Sequence, residues 1–150
     1  MAEITAAVAL VAASALAAGS AVRQRDEVWY RCVRAPWTPP NAVFPIVWTV
    51  AYAILATALT VTIRTDGIVS LSASLQVANL VLGVWWCVEF FVRRHVERAA
   101  IVLVAVTVVS AWAAAASSSP LSRKSLALYT GWCLFALSLS LGAMTRASEC

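Results

Sequence analysis

Five apolar runs, each close to the length of a bilayer crossing, take up almost the whole chain. They cover roughly residues 4–22, 44–63, 68–92, 99–117 and 125–143. A helix needs about 20 apolar residues to span the hydrocarbon core. In that medium every backbone N–H and C=O must be paired within the spanning structure. The reading that follows is an all-α membrane protein, a five-transmembrane-helix bundle forming one domain over residues 1–150. Composition agrees: 62% of residues are hydrophobic and 12% charged, too little polar surface for a soluble domain. No stretch is left for a soluble domain, a nucleotide loop or a linker. Function has to sit inside the bundle or on its short connections.

The first run invites a second reading. Ala17, Ala18, Gly19 and Ser20 would suit a signal-peptide cleavage site. However, Met1-Ala2-Glu3 carries no Lys or Arg, and the run is long for a signal core, so a retained first helix is expected. Its Ala, Val and Leu residues read as a packing helix without chemistry of its own.

Charge sets the expected orientation. The second and fourth connections hold Arg64, Arg123 and Lys124. The first and third connections and the C-terminal segment hold Arg23, Arg25, Arg31, Arg34, Arg93, Arg94, Arg98 and Arg146. That is 3 against 8 and accounts for all 11 basic residues. Basic loops stay cytosolic, so the N-terminus is expected outside and the C-terminus inside a bacterial cytoplasmic membrane or a eukaryotic organelle membrane. These cations suit anionic lipid headgroups in the bilayer. They are split among short connections, which argues against nucleic acid as a partner.

The four cysteines form no CxxC and show no spacing of a metal or redox pair. Cys87 and Cys133 fall inside helices, Cys32 and Cys150 on the cytosolic side, and all four read as small hydrophobes or free thiols. The single histidine, His95, lies in RRHVER and reads as a solvated headgroup contact rather than a haem ligand. Glu89 sits near the cytosolic end of the third run, where it can snorkel towards Arg93. No Ser-His-Asp set, acidic metal cluster, Gly-rich phosphate loop or mid-membrane acid is present, so no metal site and no proton relay are expected.

The most informative local stretch is WTPPNAVFPIVWTVAY, residues 37–52. Trp37, Pro39 and Pro40 stiffen the mouth of the second run. Phe44, Trp48 and Tyr52 then follow at i, i+4 and i+8, on one helical face. Such a stripe reads either as packing or as a surface for a flat apolar ligand. The preceding connection, with Trp29 and Tyr30 among arginines, reads either as an interfacial segment or as a lid over a cytosol-facing cavity. In the third run, Gln76, Asn79, Gly83, Trp86 and Phe90 are spaced 3, 4, 3 and 4 apart and share a face that should turn inward. Gly83 leaves a gap there, for a ligand or for close helix approach. In the fifth run, Tyr129, Trp132 and Phe135 recur, with Ala136 one turn after Trp132, where an aromatic beside a small residue makes a slot.

These residues resemble the TspO/MBR family, the tryptophan-rich sensory proteins and the translocator protein or peripheral benzodiazepine receptor. PWTPPNAVFPIVW is similar to the family's P-x-W-x-P-P-x-x-V-F-x-x-V-W stretch. WCVEFF at 86–91 is similar to its W-x-x-x-F-F, and LYTGWCLFA at 128–136 to its P-Y-x-x-W-x-x-F-A. The resemblance spans nearly all of the chain and implies five helices, the same orientation, and a homodimer. It implies binding of protoporphyrin IX or a related tetrapyrrole, as a ligand and with no cofactor required. Pocket positions carried over are Trp29 or Tyr30, Trp48, Trp86 and Phe90, and Trp132 with Ala136. Arg31 and Arg34 are expected to meet the ligand's carboxylates. Without an axial ligand inside the bundle, metal-free porphyrin is favoured over haem. Roles in porphyrin regulation, transport or stress response are implied. The alternatives are a light-dependent porphyrin-degrading enzyme, with Trp48 and Trp132 as the catalytic candidates, and a sterol- or lipid-binding translocator or regulatory scaffold. This chain departs from the family where Gln and Asn are replaced by Asn79 and Gly83, at Leu128 and at Ser140. No Lys or Arg follows Tyr129 within five residues, which disfavours a sterol motif.

Overall fold

A computed structural model describes all 150 residues and contains helices and connections only. The helices are α1 (Ala2–Arg23), α2 (Glu27–Val33), α3 (Val43–Asp66), α4 (Leu71–Cys87), α5 (Val96–Ala116) and α6 (Pro120–Ala147), and a π-helical turn, Val88–Val92, prolongs α4. Five spans are long and apolar enough to cross a membrane: α1, α3, α4 with its π turn, α5 and α6. This is the five-helix architecture that the apolar runs dictate.

The helix ends follow local chemistry more than hydropathy. Ser70 caps α4 by accepting from the Ala73 N–H. Ser119 caps α6 by accepting from the Ser122 N–H, with Pro120 in the first turn, so α6 begins well before its apolar run. Gly67 ends α3 with φ of 90°, a left-handed conformation that favours glycine.

Helix contacts define a ring in the order α1, α4, α5, α6, α3 and back to α1. The end of the bundle away from α2 is knit by buried polar groups. Thr62 and Ser122 share a hydrogen bond of 2.7 Å. Gln76 Nε2 donates to Thr62 Oγ1 at 2.9 Å, and Ser72 Oγ to the Ala113 carbonyl at 2.9 Å. Nearer mid-membrane, Ser110 and Thr130 bond at 2.8 Å, and Asn79 Nδ2 donates to the Val106 carbonyl at 2.8 Å. With lipid tails as apolar as leucine, such bonds and close packing hold helices together, at about 0.6–2 kcal/mol each. Gln76 and Asn79 are buried, as expected of the inward face.

The opposite end is organised by α2. Asp26 caps it, accepting from the Val28 and Trp29 N–H groups. Arg94, with φ of 60°, turns back to pair with Asp26 at 3.1 Å and lies 6.0 Å over the Trp29 ring. Trp29 meets Phe90 edge to face at 5.7 Å, and Tyr30 meets Phe91 at 6.0 Å. Thus α2 lies over the end of α4 and against the end of α6.

Two expectations about this end are corrected. Cys32 and Cys150 are joined in a disulfide across 118 residues of chain, so only Cys87 and Cys133 are free thiols. Folding of α2 onto the end of α6 brings this pair together. Glu89 does pair with Arg93, at 2.6 Å, but from a buried position rather than by snorkelling: its carboxylate also accepts from Trp85 Nε1 at 2.9 Å and meets His95 Nδ1 at 3.0 Å. His95 is therefore a partner of Glu89, with about half of its side chain exposed.

Candidate functional site

The inward aromatic face of α3 meets that of α4 beneath α2, and it does not fill the space there. A cavity of about 530 Å³ lies between α1, α3 and α4, roofed by Tyr30. That volume falls in the range of small-molecule sites, about 300–1,000 Å³. Thirteen of its 21 lining residues are hydrophobic. On the α6 side lies a second, small hollow of about 50 Å³, little more than a water's worth.

Trp48 and Trp86 belong to the walls of both spaces. Their rings are 6.0 Å apart and tilted by 34°. Trp48 also meets Tyr52 at 6.1 Å and Trp132 edge to face at 6.1 Å. Trp48 is therefore the hub where the three aromatic helices converge. The indole N–H groups of Trp86 and Trp132 are buried without a partner.

The structure sorts the expected site residues into three groups. Phe44, Trp48, Tyr52, Asn79, Gly83, Trp86 and Tyr30 line the large cavity. Trp132, Ala136 and Phe90 line only the small hollow, so the slot expected on α6 holds little space. Trp29, Trp37, Pro39 and Pro40 line neither. Trp29 packs on Phe90 from above. Trp37 crosses to α6 and lies against Gly142, where an added Cβ would come within 2.9 Å of the indole and 2.6 Å of the Ala35 Cβ. The proline segment is thus a strap across α6.

At Gly83 the open alternatives resolve towards space, because an added Cβ would meet nothing within 4 Å. Sequence reasoning read α1 as a packing helix only and missed its place on the cavity wall. Ala15, Ala18, Gly19 and Val22 form the outer wall of the large cavity. Their spacing of 3, 1 and 3 keeps them on one helical face. That stripe of mostly small residues was the available signal, since it leaves room where larger side chains would fill it.

Arg23 and Arg25 are the only charged residues on the large cavity. Arg25 pairs with Glu27 at 2.6 Å and stacks 5.0 Å over the Tyr30 ring. Arg23 has no acidic partner; its guanidinium lies beside Gly19. The arginines expected at this place sit elsewhere. Arg31 donates to the Glu27 carbonyl and lines neither space, and Arg34 lines the small hollow. Burial pushes the Tyr30 phenol up, with Arg25 and Arg34 opposing, so at neutral pH it stays protonated and can donate a hydrogen bond at the roof.

The whole arrangement is a flat-walled apolar cavity with cations at one end, suited to a planar amphiphile. The sequence model of the TspO/MBR family matches residues 6–145. The chain is also 32% identical, over 79 residues, to the tryptophan-rich protein TspO of Chlorobaculum tepidum, a match that spans 49% of this chain and 50% of that relative.

Proposed function

This chain belongs to the TspO/MBR family, and on that premise we propose that it binds a metal-free tetrapyrrole such as protoporphyrin IX in the cavity between α1, α3 and α4. Membership supports a membrane protein of the tetrapyrrole- or sterol-binding type. The observation that carries the finer reading is the pairing of the Trp48 and Trp86 faces with an unpartnered Arg23 at the mouth of a cavity of about 530 Å³. The indoles supply apolar, polarizable surface for a macrocycle. Arg23 supplies two or more N–H donors for a propionate, a charge-assisted contact. Asn41 at the same mouth adds a neutral polar group. No histidine reaches the cavity, which favours the metal-free ring over haem. A sterol would leave Arg23 without a counter-charge.

The basic asymmetry supports an N-terminus outside and a C-terminus inside, so that the α2 end and Arg23 face the cytosol. Membership also supports a homodimer in the bilayer, which crosslinking in native membranes would test.

The decisive experiment is titration of purified protein with protoporphyrin IX, haem and a sterol, followed by tryptophan quenching. Micromolar binding of the metal-free porphyrin, on the order of −8 kcal/mol, is expected, with haem no tighter. Trp48→Ala and Arg23→Gln should both weaken it. Loss of binding in His95→Ala with Trp48→Ala unaffected would place the ligand elsewhere.

The contacts among Trp48, Trp86 and Trp132 favour one second reading, in which an excited porphyrin is consumed in light and oxygen with an indole as reaction partner. Porphyrin absorbance that decays under illumination in wild type but not in Trp48→Phe would separate an enzyme from a binder.

A further inference from the structure

We propose that Cys32–Cys150 is a reversible thiol–disulfide site, with a small-molecule thiol as reductant and a small-molecule disulfide as oxidant, whose state sets how freely α2 lifts from the cavity. The part of this concerning ligand access rests on the tetrapyrrole reading above; the part concerning α2 does not.

The attachment of α2 is lopsided. Its N-terminal end is held by the Asp26–Arg94 pair, by Arg94 over Trp29 and by Trp29 against Phe90. Its C-terminal end is held by the disulfide, by one hydrogen bond, from Arg146 Nε to the Cys32 carbonyl at 3.0 Å, and by apolar packing of Val33 and of Ala35, which lies against Gly142 of α6. Tyr30 lies between these ends, is buried, and roofs both the cavity and the hollow. Cutting the bond removes the only covalent tie at this end and leaves the Arg146 hydrogen bond and the packing of Val33 and Ala35, so α2 hinges more freely about its first end and carries Tyr30 outward more often.

The bond is open to reagents. Cys150 is exposed and Cys32 partly so, whereas Cys87 and Cys133 are buried in the bundle. Exchange chemistry is thereby confined to one pair. The same end of the bundle carries the eight-cation side of the charge asymmetry and so faces the cytosol in the proposed orientation. Disulfides in that compartment are usually transient and redox-sensing rather than structural. Exposed ones are the labile class.

The chemistry balances as ordinary exchange. A thiolate attacks Cys150 Sγ, the Sγ–Sγ bond breaks, and Cys32 leaves as a thiolate. A second thiolate attacks the mixed disulfide and releases Cys150. The protein disulfide gains two electrons, two small thiols become one small disulfide, and both cysteine thiolates take protons from solvent. A small-molecule disulfide runs the sequence in reverse.

The test uses the full chain in lipid nanodiscs, oxidised with glutathione disulfide or reduced with millimolar glutathione. Mass spectrometry after alkylation should show two additional modified cysteines on reduction. Hydrogen exchange at the α2 amides, and the association and dissociation rates of protoporphyrin IX, should all rise severalfold in the reduced form. Cys150→Ser and Cys32→Ser should each match reduced wild type in both buffers; two independent variants guard against one folding poorly. Equal α2 exchange in oxidised and reduced wild type would overturn the proposal, as would a pair that glutathione leaves oxidised. If porphyrin binds in neither state, the tetrapyrrole reading fails while α2 exchange still decides the latch.

Discussion

Two glycines of this bundle ask for opposite things, and single substitutions separate them. Gly83 faces open cavity, so Gly83→Leu should place its side chain in that space and remove a glycine from mid-helix. Thermal stability should stay within about 0.5 kcal/mol or rise, while porphyrin affinity falls. Gly142 faces the strap, so Gly142→Val should force Ala35 and Trp37 off α6 and cost about 1–3 kcal/mol by overpacking, with Trp48 quenching by ligand largely kept. Thermal unfolding in detergent and ligand titration, done on both variants, check the pair. A further contrast follows from the two spaces. Trp48→Ala should cost binding more than Trp132→Phe, because Trp48 walls the large cavity and Trp132 only the hollow, and aromatic contacts contribute about 0.5–1.5 kcal/mol each. The inward place of Gly83 was readable in sequence because its helix carries a 3-4 seam, but whether it faced space or a neighbouring helix was not. Gly142 was not, since its constraint comes from a strap more than a hundred residues earlier in the chain.

Among the elements, α2 is the one whose behaviour pH should reveal. The backbone N–H of Trp29 above all, then that of Val28 and the charge of Arg94, hold the Asp26 carboxyl below the usual carboxylate range against an opposing cost of desolvation. A carboxyl lowered by folding stabilises the folded state above its unfolded value of about 3.9, and that contribution is lost as pH falls through the folded value. The cap of α2 should therefore hold from neutrality down to about pH 5 and fray only in stronger acid. Trp29 fluorescence and α2 hydrogen exchange would follow it, and Asp26→Asn, which still caps, should remove the acid transition. The long helices were plain from their apolar runs, but α2 was not: seven residues are too few for a periodicity, and its charges looked like a loop's. Nor could the disulfide be read, because a bond across 118 residues has no spacing signature. The role of α1 was ambiguous because a stripe of small residues marks close helix packing as readily as the wall of a cavity.

For the molecule as a whole, the basic asymmetry predicts that tags at the two termini report opposite faces of the membrane, the C-terminal one cytosolic; finding both on one face would remove the proposed orientation. The ring of helices is also uneven. Only 22% of the apolar window of α1 is buried, against 44% for α5, so α1 is the helix most easily displaced. The bonds linking Thr62 with Ser122, Gln76 with Thr62, and Ser72 with Ala113 all gather at the end away from α2. Those helices consequently share a stiff root and a soft tip. Splaying the tips about that root widens the cavity without breaking any of the three bonds. The resting volume is then a floor, and guests bulkier than it can be admitted by a small change of angle. Porphyrins with progressively larger rim substituents should lose affinity gradually rather than at a sharp size limit, and the loss should steepen when the tips are pinned by an engineered crosslink between α1 and α3.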